Sequence, residues 1–84
     1  MTLYFVNGSR QMKKLMESDY ADDLYDVMMG FFEEHGKYPH FLETERVDDG
    51  LKIRFESQCE YFYLQGAEEE ECEEYEALVR EGQE

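Results

Sequence analysis

The chain has no tryptophan, one proline, two cysteines and only eight lysine and arginine residues in 84 positions. It contains no apolar run approaching the roughly 18 residues that indicate a membrane-spanning helix. Its N-terminus lacks the basic start, long apolar stretch and small-residue cleavage site of a signal peptide. Cys59 and Cys72 are too few for the disulfide framework of a small secreted domain. These absences predict a reduced, cytoplasmic protein that makes no membrane contact.

Acidic residues, by contrast, are abundant. Twenty-two Asp and Glu residues give a net charge of −14 at pH 7. Residues 19–36 carry six acids and no base, and residues 67–84 carry nine acids and one base, whereas residues 1–18 have a net charge of +2. A surface of this sign repels nucleic-acid backbones and anionic lipids. The predicted partner is therefore a basic protein, with no direct binding to nucleic acid.

The length of the chain corresponds to one domain spanning residues 1–84. Six phenylalanines and seven tyrosines are enough for a small core, because each buried aromatic side chain removes about 150–250 Å² from water. We therefore expect a folded chain rather than an intrinsically disordered one.

The N-terminal third leaves one element undecided. Leu3–Val6 is prone to form a strand, and Asn7-Gly8 is a strong turn signal. Residues 9–17 can return as a hairpin strand, or Ser9 can cap a short basic helix with Met12, Leu15 and Met16 on one face. The helix is slightly favoured, because a strand through residues 10–14 would be a poor one.

The clearest predicted element is a long amphipathic helix from about Asp19 to His35. One face is formed by residues at helical spacing, namely Tyr20, Leu24, Val27, Met28 and Phe31. Ser18 or Asp19 can cap its start, and Gly36 is suited to end it. Tyr25, Met29 and Phe32 form a second apolar stripe, so this helix is either packed on two sides or exposes part of a binding surface.

The rest of the chain predicts strands followed by an acidic helix. Residues 40–47 are a weak strand, residues 48–50 a hairpin turn, Leu51–Glu56 an alternating strand, and Tyr61–Leu64 an aromatic strand ended by Gly66. The C-terminal helix buries a narrow seam of Cys72, Tyr75, Leu78 and Val79. The predicted fold is α+β: a three- to four-stranded antiparallel sheet, with the long helix before the hairpin strands and the acidic helix after them.

Two groups of carboxylates are the candidate binding residues. The first lies on the C-terminal helix and the second on the long helix: Glu68, Glu69, Glu70, Glu71, Glu73 and Glu74, with Asp22, Asp23 and Asp26. DNA carries one negative charge per roughly 1.7 Å of axis, and its binding proteins present Lys and Arg to it. A helical array of carboxylates can imitate that charge, with Tyr75 or Tyr63 as the apolar contact. The alternative is a solvated helix face that serves solubility alone.

The size, charge and acidic helix resemble the small inhibitors of phages and mobile elements, the anti-restriction and anti-CRISPR proteins that imitate nucleic acid. The resemblance involves no specific motif. It implies a non-catalytic inhibitor, acting in the host cytoplasm, that occupies the basic channel of a nuclease or another nucleic-acid-binding protein. The rival prediction is a generic interaction or regulatory subunit that uses the stripe Tyr25, Met29 and Phe32, as a monomer or a homodimer.

Catalytic and metal sites find little support in the sequence. Ser9, Ser18 and Ser57 have no adjacent histidine or glycine-rich elbow. Residues 45–56 lack Asp or Asn at the first and third positions of a calcium loop. The residues His35, His40, Cys59 and Cys72 lack the close pair spacing of zinc sites. We therefore predict no enzyme activity, no cofactor and no metal.

Overall fold

The computed structural model describes residues 1–36, 39, 41–56 and 59–82. In chain order the elements are β1 (Thr2–Val6), β2 (Met12–Glu17), α1 (Ala21–Glu34), β3 (Glu43–Val47), β4 (Gly50–Arg54), β5 (Tyr61–Gln65) and α2 (Glu69–Gly82). The strands form one antiparallel sheet in the order β2-β1-β5-β4-β3. The predicted α+β class is confirmed. The sheet has five strands rather than three or four, and α1 is 14 residues long, shorter than expected.

The additional strand is β2, where the sequence slightly favoured a helix. The side chain of Asn7 accepts hydrogen bonds from the backbone N–H groups of Ser9 (2.9 Å) and Gln11 (3.0 Å), which folds the turn back on β1. The pairing with β1 contains an irregularity next to Leu3 and Tyr4, and Leu15 is the extra residue. This bulge turns Leu15 toward the core. It breaks the alternation typical of a strand and leaves Met12, Leu15 and Met16 at helix-like spacing.

Helix α1 begins two residues later than predicted. Tyr20 occupies the position before the first helical residue, without a side-chain capping bond. The Ser18 hydroxyl instead accepts from the Tyr20 backbone (3.1 Å) and donates to Asp23 (3.0 Å). Tyr20 is 71% exposed and does not belong to the buried face. At the other end Gly36 has a φ of 65° and its N–H bonds to Glu33 O, so it ends the helix as predicted.

Both helices pack on the same face of the sheet. Strand register aligns Leu3, Leu64 and Leu51 in one row and Phe5, Phe62 and Ile53 in the next. These rows share one hydrophobic core with the buried residues of α1 (Ala21, Leu24, Met28, Phe32) and α2 (Cys72, Tyr75, Val79). Neither helix covers the opposite face of the sheet, which we call the uncovered face.

Phe62 lies at the centre of this core. It is fully buried, and its ring centroid is 5.2–5.7 Å from those of Phe5, Phe31, Phe32 and Phe55. Edge-to-face and tilted arrangements of this kind are favourable for aromatic pairs, by about 0.5–1.5 kcal/mol beyond the area they bury. Phe62 therefore links the aromatic side chains of α1 and of the sheet within the core.

The hairpin β3–β4 is confirmed and reaches its register through Asp48 and Asp49, with Val47 opposite Gly50. Residues 45–56 are thus a hairpin and its continuation, and not a calcium-binding loop. The strand predicted over residues 40–47 begins only at Glu43. Phe41 and Leu42 precede it, and His40 lies outside the described residues. Neither helix of the described chain has the length and apolarity to cross a membrane.

Gly50 provides a test of the sheet. A Cβ built at this position would lie 2.9 Å from the carbonyl carbon of Leu64 and closer still to its oxygen, in the neighbouring strand. We expect Gly50→Ala to lower the free energy of unfolding by about 3 kcal/mol or more, since the added methyl group would clash with the backbone of Leu64, which cannot move away easily. The measurement is urea denaturation followed by circular dichroism.

Gly30→Ala is the matched control. It lies in the middle of α1, and a Cβ there meets nothing within 4 Å. We expect the free energy of unfolding to rise by roughly 0.5–1 kcal/mol, because alanine has the higher helix propensity. Equal effects of the two substitutions would contradict the strand register at Gly50.

Candidate functional site

The predicted acidic residues lie mainly on the sides of α1 and α2 that face away from the sheet. We call this the acidic helical surface. It is formed by the exposed carboxylates of both helices: Asp22, Asp23, Asp26, Glu33, Glu34, Glu69, Glu70, Glu73 and Glu74. Glu68 is exposed directly before α2. Since both helices cover the same face of the sheet and contact each other, their outer sides belong to one layer. The two groups therefore share one side of the molecule.

Two carboxylates of α2 take part in internal contacts. The backbone N–H of Glu68 donates to Glu71 Oε1 (3.0 Å), which is half of a capping box. The N–H of Cys72 donates to Glu68 O (2.9 Å) and forms the first turn of the helix. Glu76 accepts from Arg46 Nη2 (2.6 Å) and Nε (3.0 Å) and ties α2 to β3. Glu71 thus caps the start of the helix, and its role in binding a partner stays a prediction.

Tyr75 cannot supply the apolar contact predicted for it. Its side chain is fully buried, its hydroxyl donates to Leu24 O (3.3 Å) and lies 3.4 Å from Met28 Sδ, and its ring meets Tyr25 edge-on at 6.1 Å. Burial raises the pKa of this hydroxyl far above its usual value. Tyr75 therefore joins the two helices within the core.

Tyr63 lies on the other side of the molecule from the carboxylates. In β5 it faces the uncovered side of the sheet, where its ring stacks on Tyr4 with centroids 6.2 Å apart. Its hydroxyl donates to the Asp49 carboxylate. Partial burial is the larger cause and this hydrogen bond the second, and together they raise the pKa of Tyr63 to about 12. It does not belong to the acidic helical surface.

The second apolar stripe of α1 is not an exposed surface. Phe32 is 2% exposed and belongs to the core, whereas Tyr25 and Met29 are half-buried against it. Of the two possibilities raised by the sequence, packing on two sides is the one adopted: Phe31 and Phe32 meet the sheet, and Tyr25 meets α2. A partner cannot reach the three side chains as a set.

Among the residues considered for metal binding, His35, Cys59 and Cys72 are the ones that the structure describes. Within the described residues, no three His, Cys, Asp or Glu side chains are arranged to hold a metal ion. Cys72 is buried and Cys59 exposed, and His35 stacks on Phe31 with ring centroids 4.2 Å apart. His40 and Ser57 lie outside the described residues.

The uncovered sheet face is the feature that the sequence did not identify. Register aligns Lys14, Tyr4, Tyr63, Lys52 and Glu45 in one row, and Met12, Val6, Tyr61, Arg54 and Glu43 in the next. The alternation of Leu51–Glu56 already placed Lys52 and Arg54 on the polar face of their strand. Their tyrosine neighbours become evident only once the strand order is known.

The contact between Tyr63 and Asp49 predicts a specific titration. Asp49→Asn should lower the pKa of Tyr63 from about 12, because it removes a negative charge that disfavours the phenolate. The pKa of an unfolded tyrosine is about 10, so the stability due to the raised pKa of Tyr63 is complete below that pH and is lost as the pH rises toward 12. The measurement is a pH titration of the tyrosine ring ¹³Cζ shifts. Tyr63→Phe identifies the resonance, and an unchanged midpoint in Asp49→Asn would contradict the contact.

Comparison with known proteins found no match. No family model, no curated protein and no solved structure matches the chain. The function is therefore inferred from the chain's own residues and their arrangement.

Proposed function

We propose that the protein is a non-catalytic inhibitor whose acidic helical surface occupies the Lys- and Arg-lined nucleic-acid channel of a nuclease or another nucleic-acid-binding protein. The observation that carries the proposal is the gathering of exposed carboxylates from two helices on one side of the sheet. A partner that binds a polyanion by its charge would meet there exposed carboxylates of both helices, held by a folded core.

The placement of the acids within α2 supports a role beyond folding. Glu69 and Glu70 lie in the first turn, where the helix dipole favours negative charge. Glu73 and Glu74 lie one turn further on, each four residues from one of them. Like charges at this spacing cost a few tenths of a kcal/mol per pair. Folding alone gives no reason for that second pair, whereas binding to a cationic groove does.

The distribution of the basic residues also supports the proposal. Lys14, Lys52 and Arg54 lie on the uncovered face of the sheet, and Arg46 is paired with Glu76. Arg80 is the one base within α2, and α1 contains none. The molecule is therefore polarised, and its negative side would be turned toward a positively charged partner during diffusional encounter.

The rival, an apolar interface through Tyr25, Met29 and Phe32, has less support because Phe32 is in the core. The two proposals differ in their dependence on salt. Charge-dominated binding weakens steeply with ionic strength, since the screening length is about 8 Å at physiological salt and 3 Å at 1 M. An apolar interface persists under the same conditions.

Charge neutralisation on α2 tests the proposal. In a variant with Glu69, Glu70, Glu73 and Glu74 changed to Gln, Glu68 and Glu71 still form the helix cap. We expect it to lose capture of nucleic-acid-binding proteins from a nuclease-treated bacterial lysate. We expect its thermal midpoint to stay close to that of the native chain, because the removal of two like-charge pairs is offset by the loss of two first-turn carboxylates that the helix dipole favours. A 20-base-pair DNA duplex should displace the captured proteins from the native chain.

The control removes the same amount of charge elsewhere. Glu17, Glu43 and Glu45 changed to Gln, with Asp48 changed to Asn, neutralise four exposed acids on β2, β3 and the β3–β4 turn. This variant should retain capture and displacement. Loss of capture in both variants would show that capture depends on net charge alone and not on the acidic helical surface. Capture that persists in 1 M salt, or that the duplex does not displace, would refute nucleic-acid mimicry.

A further inference from the structure

A groove lies at the corner of the uncovered sheet face, on the opposite side of the molecule from the acidic helical surface. It has a volume of about 550 Å³ and lies between the β1–β2 turn and the ends of β4 and β5. Its apolar floor is Val6, which is 3% exposed yet lies outside the core cluster. The turn approaches the segment before β5 closely, since a Cβ on Gly8 would lie 3.5 Å from Cys59 Cβ. We call this the hairpin groove.

Three of the eight basic residues of the chain line the hairpin groove: Arg10, Lys52 and Arg54. One carboxylate, Glu60, lines it with them. Lys52 Nζ lies 4.3 Å from the centroid of the Tyr61 ring. Arg54 is paired with Glu43 at 2.9 Å, but both side chains are about half exposed, and such a pair holds its partners weakly. Arg54 therefore retains donors that a ligand can use.

Arg10 is held in a conformation that its side chain disfavours. Its φ is 63°, and it is the one non-glycine residue with positive φ in the described part of the chain. Glycine or asparagine occupies such left-handed positions more readily. The local turn is already organised by Asn7, whose backbone oxygen accepts from the Arg10 N–H at 2.9 Å. Turn formation thus gives no reason for an arginine, whereas a cation at the rim of the groove does.

We propose that the hairpin groove binds a phosphorylated small ligand of the size of a nucleoside monophosphate. Guanidinium groups match phosphate oxygens in two-point hydrogen bonds, and an ammonium adds a point charge. The volume falls within the roughly 300–1,000 Å³ that is typical of small-molecule sites. The net charge of −14 does not prevent this, because charges further away than about 8 Å are largely screened at physiological salt. The proposal is independent of the acidic helical surface.

The test is a titration of the ¹⁵N-labelled full chain with AMP, inorganic phosphate and adenosine. AMP and phosphate should shift the amide signals of Gly8, Cys59 and Tyr61 at millimolar concentration, and adenosine should not. Arg54→Gln and Lys52→Gln should each raise the dissociation constant for AMP about tenfold or more, the typical effect of losing a charged hydrogen bond. Glu60→Gln should lower it, because a repelling carboxylate is removed.

Arg10→Gly separates ligand binding from folding. It removes a cation, so AMP binding should weaken. Because glycine adopts a positive φ without strain, the thermal midpoint should not fall. Arg80→Gln removes the same charge on α2 and should leave the AMP affinity unchanged. The assignment would be overturned by the absence of a shift with millimolar AMP, by equal binding of adenosine, or by equal weakening in Arg80→Gln. Tighter binding of single-stranded DNA without a terminal phosphate than of AMP would also overturn it, in favour of nucleic acid as the ligand.

Discussion

The burial of both helices against one face of the sheet is the constraint on which the other features depend. Phe62 is surrounded by rings from α1 and from neighbouring strands, and Tyr75 fixes α2 to α1 through its hydroxyl. A chain of 84 residues has little apolar surface to bury, and this arrangement concentrates it in one layer. The polar side chains of the helices and strands therefore lie mainly on two outer surfaces. These are the sides of the helices that face away from the sheet, and the uncovered face of the sheet.

This two-sided division accounts for how far the sequence could be interpreted. Helix periodicity located α1 and α2, and strict alternation located β4, because these patterns depend only on local geometry. Strand β2 stayed undecided between a strand and a slightly favoured helix, since the bulge at Leu15 disrupts the alternation. The second stripe of α1, which includes Phe32, left two possibilities open for a related reason: periodicity gives the faces of a helix, but packing decides how wide the buried face is.

The candidate site was predictable in its charge and not in its apolar contacts. Glu69, Glu70, Glu73 and Glu74 are exposed as expected, because a run of carboxylates has no partners in a core. Residue type alone does not distinguish Tyr75 from Tyr63. Yet Tyr75 is buried between the helices, and Tyr63 lies on the uncovered face of the sheet. Their positions follow from strand order and helix contact, which involve residues distant in the sequence. The same long-range pairing brings Arg10 beside Lys52 and Arg54.

The two cysteines, set aside at first as too few for a disulfide framework, differ in a useful way. Burial raises the pKa of the Cys72 thiol, which keeps it protonated and slow to react. Cys59 is exposed at the edge of the hairpin groove. A thiol-reactive dye would consequently label the native chain at Cys59 in preference to Cys72. In a protein without tryptophan, that single attachment point offers a fluorescent reporter of what enters the groove, with no engineered residue required.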